Sequence, residues 1–128
     1  MIDLTMHEER LQHAIDRAKE RNILIPTFAQ MQNPALIPEN VKKALKNVGL
    51  WDVNPLNLFR ISWHNEPTMQ GGGFGGVNFI ELPSALTGVD ARIIVMWGKW
   101  FPTGCHKVGA SVGCLAPRLV TGQFAPPY

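Results

Sequence analysis

Trp100–Cys114, WFPTGCHKVGASVGC, sets a Pro-Thr-Gly bend directly ahead of a histidine-lysine pair and a run of small residues. Proline fixes φ and glycine accepts backbone geometry that other residues resist, so Pro102, Thr103 and Gly104 predict a turn. His106 and Lys107 fall just after it, and a helix is predicted over 108–120, kinked or ended early by Pro117. Gly109, Ala110, Ser111 and Gly113 present little side chain, which lets another backbone or a flat ligand approach the helix start. A lysine there reacts with an aldehyde when its amine is confined and partly desolvated, because desolvation keeps the neutral, nucleophilic form populated. The same pattern also suits an ordinary helix-start lysine with its ammonium in water.

Upstream of the turn, Arg92–Trp97 is the clearest strand, and its consecutive β-favouring residues suit a sheet covered on both faces. Leu82–Leu86 reads as a strand end followed by a helix start, and Val77–Leu82 as another strand. Between them and the N-terminal half lies Gly71–Gly76, GGGFGG. Such a backbone cradles a phosphate when its amides converge beside a helix start. A strand follows instead, with neither a P-loop lysine nor a dinucleotide fingerprint, which favours a surface loop. Val112, Leu115 and Ala116 are expected to bury against the sheet.

From Pro83 onward the succession of a Leu-Pro segment, a connection through Gly88, a strand over 91–96 and the turn before His106 and Lys107 resembles the first domain of fold-type II pyridoxal-phosphate (PLP) enzymes. That superfamily includes tryptophan synthase beta, cysteine synthase, threonine synthase and threonine dehydratase. In the tryptophan synthase beta branch a Thr-Gly-x-His-Lys run carries the Schiff-base lysine, and here the run is Thr103, Gly104, Cys105, His106, Lys107. The resemblance implies that Lys107 is the catalytic residue and holds the cofactor. It implies that His106 sits beside the phosphate or helps to set the lysine. The implied fold is α/β, a partial N-terminal portion of the type II architecture with helices packed on a few strands. The implied activity is alpha-beta elimination or replacement on an amino acid, by a truncated or partner-dependent chain. Two alternatives stand beside it: a non-catalytic fragment or subunit that packs on a partner, and a small-ligand binding domain using the Gly71–Gly76 loop.

The N-terminal part reads as helical over 1–49, with the incomplete α/β cofactor-domain segment over 50–128. Thr5 and Glu8 suit a capping box at the start of a helix reaching Asn22, with Leu11, Ala14, Ile15 and Ala18 on its apolar face. His7 and His13 fall near its solvated side. Ile23–Pro34 reads as a connection, and Ile37–Val48 as a second helix with Pro38 in its first turn and Gly49 at its end. Val41, Ala44, Leu45 and Val48 form its apolar face, while Lys42, Lys43 and Lys46 point away. Leu50–Met69 holds too many large apolar groups for a free linker, and Pro55 and Asn57 limit it to a short helix or an extended run. His64 and Glu66 form a candidate acid-base pair on its rim, although such neighbours are common on loops.

A chain of 128 residues, 45% hydrophobic and 17% charged, is composed to fold around one moderate core. A formal net charge of +2 without a basic stripe gives no nucleic-acid footprint. The cysteines, Cys105 and Cys114, make no disulfide framework and fit buried small side chains in a reducing cytosol. With no basic-then-apolar leader and no membrane-spanning run, the expected location is cytoplasmic. The expected partners are an amino-acid substrate and either a second copy or another chain, with no bound metal.

Overall fold

The computed structural model describes residues 3–67 and 72–124. Helix α1 spans Glu8–Glu20, α2 Phe28–Gln32, α3 Glu39–Leu45, α4 Ser84–Thr87 and α5 Lys107–Val120, and strands β1, Phe79–Leu82, and β2, Ile93–Met96, pair in one sheet. Among the described residues, short 3₁₀ helices at Pro34–Leu36, Pro55–Arg60 and Pro102–Gly104 each open on a proline. Proline suits that first position because its missing N–H is one of the donors a helix start leaves unpaired anyway.

The core is small and drawn from both sides of residue 50. Ile37, Val41 and Leu45 meet Phe59, with Leu56 and Phe74 packed alongside. Val41 and Leu45 are four residues apart on α3, so both reach the same neighbour. What locks α3 onto the Pro55–Arg60 turn is polar. Arg60 is 4% exposed, and its guanidinium donates to the carbonyls of Leu45 and Val48 and to Asn57 Oδ1. Asn57 Nδ2 in turn donates to the carbonyls of Gly49 and Asp52. Burial pulls the Arg60 pKa below its ordinary value and the nearby Asp52 carboxylate opposes the shift. The guanidinium remains a cation and satisfies the carbonyls that the end of α3 leaves over.

Several expectations are corrected. The opening helix begins at Glu8, with His7 at its cap position and no side-chain cap, while Thr5 donates its N–H to Asp3 Oδ1. The supposed connection 23–34 contains α2, capped reciprocally by Thr27 and Gln30. Helix α3 is shorter than 37–48 at both ends, and on its surface Lys42 pairs with Glu39 at 2.8 Å. Pro117 does not end α5, which continues to Val120. Its missing N–H leaves the carbonyl of Gly113 without a helical partner, and Gly113 is exposed, where water can serve. Beyond it, the Thr121 hydroxyl donates to the Pro117 carbonyl at 2.8 Å.

The sheet departs furthest from expectation. β1 and β2 run antiparallel, Phe79 opposite Met96 and Leu82 opposite Ile93. All four β2 residues are exposed rather than covered on both faces. Leu115, expected against the sheet, is also exposed. At the end of the ribbon joined by residues 83–92, Arg92 grips Glu81 with two 2.8 Å hydrogen bonds, which hold the Glu81 carboxyl below its usual pKa. Stability from that pair is therefore present above the unfolded carboxyl's pKa and is lost as pH falls through the lower folded value.

Arg60→Met removes donors from three buried or half-buried acceptors at once, and is expected to destabilise the chain by about 3 kcal/mol. Urea unfolding checks this as a lowered midpoint at unchanged slope.

Candidate functional site

The turn ahead of Lys107 is built from two consecutive left-handed residues, Thr103 at φ 64° and Gly104 at φ 71°. Glycine takes that geometry freely, whereas a β-branched threonine does so only against steric cost. Two hydrogen bonds impose it: Thr103 N–H donates to Leu50 O at 3.0 Å and Gly104 N–H to Phe101 O at 2.9 Å. Trp51 also lies close over Gly104, where an added Cβ would come within 3.3 Å of the indole. Residues 50 and 51 thus clamp the bend and fix where α5 starts.

Lys107 is the first residue of α5, exposed, and its carbonyl accepts from the Ser111 hydroxyl at 3.4 Å. His106 lies flat on Trp63, ring centres 5.5 Å apart and planes 29° from parallel, and Trp63 meets Phe101 edge to face at 4.9 Å. A Cβ on Gly98 would stand 3.1 Å from His106 Cβ and Nδ1, so the glycine makes room for the imidazole. The histidine's partner is therefore an aromatic platform. Gly109, expected to admit a backbone or ligand, is approached by Ile61, whose Cγ2 would lie 3.2 Å from an added Cβ. Its smallness serves the seating of α5 on the core. Cys105 is half-buried and Cys114 exposed, both free thiols, which corrects the expectation of two buried side chains.

Asn65 holds this region to the core. It is 3% exposed, and its amide nitrogen donates to the carbonyls of Arg60 and Trp100. Its backbone carbonyl accepts from the Asn78 side chain, while Asn65 Oδ1 is buried without a partner.

The glycine-rich stretch, described from Gly72, is the returning arm of a bridge between Asn65 and Phe74. Gly75 N–H donates to His64 O and Gly72 N–H to Pro67 O, so both amides are committed. The Glu66 carboxylate crosses the same glycines: its oxygens would lie 3.2 Å from a Cβ on Gly73 and 3.0 Å from one on Gly75. A carboxylate here repels phosphate, and the small residues make room for it. His64 Nδ1 is engaged with the Gly75 carbonyl at 2.9 Å rather than with Glu66. Both border an open cleft of about 520 Å³ that Glu39, Lys42 and Lys46 also line. A second cleft of about 450 Å³ lies between Trp51 and Trp100, with Lys99 over the Trp100 ring at 5.1 Å.

Lys107 lines neither of these clefts, nor the one between α1 and α5. Lys107 is thus an exposed amine that none of these three clefts encloses. Among them no group of three or more side chains could hold a metal ion, and no helix is long and apolar enough to cross a membrane. No family model, no curated protein and no solved structure matches the chain.

Sequence reading missed Arg60 and set Asn65 at the rim beside His64 and Glu66, whereas Asn65 is buried and, with Arg60, ties the lysine-bearing segment to the core. Asn54-Pro55, an Asx cap before a first-turn proline, was the available signal for the turn that carries Arg60.

Thr103→Asn is expected to raise stability by about 0.5–1 kcal/mol, since asparagine tolerates the left-handed region better. His106→Ala is expected to lower it by about 1 kcal/mol through loss of the stack on Trp63, with a change in the near-ultraviolet tryptophan signal. Thermal and urea unfolding of both variants check these values.

Proposed function

We propose that this chain is the lysine-bearing, partner-dependent part of a PLP-dependent lyase or synthase acting on an amino acid. The observation that carries this reading is the placement of Lys107. It stands at the first residue of a 14-residue helix, directly after a turn in which Thr103 is held in the left-handed region. Strain of that kind persists where neighbouring contacts over-determine it, and it concentrates at sites of function. The run from Thr103 to Lys107, which resembles the cofactor-lysine run of the tryptophan synthase beta branch, supplies the chemical class.

Partner dependence rests on the ribbon. Phe79, Ile80, Ile94, Val95 and Met96 are each between 41% and 49% exposed, and a lone two-stranded ribbon is marginal in water. Cover on this surface buries apolar area, and enclosure around Lys107 would favour its neutral amine. PLP would supply the electron sink; this chain would supply the amine and its fixed position. A second reading, a subunit that docks through the ribbon and does no chemistry of its own, draws on the same exposed surface. The small-ligand reading of the glycine-rich loop loses support from the committed amides and from Glu66.

The test is PLP labelling with borohydride reduction and peptide mapping, across concentrations that take the chain from monomer to a discrete oligomer in sedimentation. The expected result is one label per chain at Lys107 in the oligomer, lost in Lys107→Ala and strongly reduced in the ribbon variant Ile94→Lys. Labelling spread evenly over Lys42, Lys43, Lys46 and Lys99, or an oligomer with Lys107 unlabelled, overturns the cofactor reading. The latter outcome selects the docking subunit.

A further inference from the structure

A groove between α1 and the end of α5 has no part in the site around Lys107. It encloses about 750 Å³, and Leu11, Ala14, Ile15 and Ala18 from α1 face Leu119 and Val120 from α5 across it. Ala14 and Ala18, one turn apart, are what gives it depth. The two helices are held at this spacing by their ends. His7 N–H donates to Thr121 O at 2.7 Å, and Gly122, at φ 75°, sits so near His7 that an added Cβ would lie 2.5 Å from the His7 carbonyl oxygen.

Among the described residues, the charged side chains lining the groove have one sign. Its ionisable lining is His13, Arg17, Lys19 and Arg21. The α1 carboxylates Glu8, Glu9, Asp16 and Glu20 take no part in the lining, and Asp16 accepts from Gln12 Nε2 at 2.8 Å. Among the described residues neither ion pair involves a basic group of the rim. An apolar floor with unpaired cations at its edge is complementary to a ligand that joins an apolar body to an anionic head.

The groove is half-open to solvent. Its volume falls within the range usual for small-molecule sites, about 300–1,000 Å³.

We propose that this groove binds a single-chain anionic amphiphile, with the acyl chain along the Ala14 and Ala18 floor and the carboxylate among Arg17, Lys19 and Arg21. Isothermal titration of the whole chain with monomeric dodecanoate tests it, with dodecyltrimethylammonium as the cationic control and phosphatidylglycerol vesicles as the bilayer control. The expected result is saturable binding of one dodecanoate per chain, at least tenfold tighter than the cationic control. Arg17→Glu with Arg21→Glu weakens dodecanoate binding at least tenfold, and Ala14→Trp abolishes it by filling the floor. The charge-reversed side chains lie at the groove's rim, so circular dichroism of that variant is expected to match the parent. It decides the matter even if Ala14→Trp fails to fold. Equal affinity for both head groups, no saturable dodecanoate binding, or binding to vesicles alone overturns the proposal.

Discussion

A buried guanidinium bears the weight of this structure. Arg60 ties the carbonyls of Leu45, at the end of α3, and of Val48, just beyond it, to the Pro55–Arg60 turn. The small apolar core formed by Ile37, Val41, Leu45 and Phe59 closes around that attachment. Everything downstream is placed relative to it, since the Arg60 carbonyl is also where Asn65 begins its bridge to Trp100. The geometry ahead of Lys107 is thus reached through polar contacts of fixed direction. Dispersion and burial add cohesion, but they are less directional and would tolerate a range of orientations.

Local chemistry made some of this legible. The Pro-Thr-Gly turn and the helix after it follow from residues that restrict their own backbone, and they form within a residue of the expected bounds. Thr27-x-x-Gln30 spelled out a capping box that was sought instead at Thr5, where acidic and polar neighbours imitate the same pattern. The ribbon misled because an unbroken apolar strand such as Ile93–Met96 reads alike whether its cover lies on the same chain or elsewhere. Periodicity carries burial preference; it does not say who provides the burial. Arg60 and Asn65 were hidden for another reason: their partners are backbone carbonyls, and a carbonyl leaves no mark in a sequence.

The candidate site shows the same division. Lys107 and the left-handed bend were visible because their chemistry resides in the residues themselves. The stack of His106 on Trp63 was not legible, since it depends on the chain folding back across more than forty residues. The glycines of the loop carried an ambiguous signal. Smallness suits a bound anion and an overlying carboxylate equally well, and the position of Glu66 decides for the latter.

The ribbon also sets a kinetic condition on the life of the chain. Arg92–Trp97 offers six residues, four of them of high β-propensity, with one charge, and that charge is occupied by Glu81. The outer edges of β1 and β2 pair with no further strand among the described residues. Such a segment is a template for copies of itself as readily as for a proper partner. Self-pairing would use the same edges as any docking on this face, so the time a newly made chain spends with them uncovered sets its exposure to aggregation.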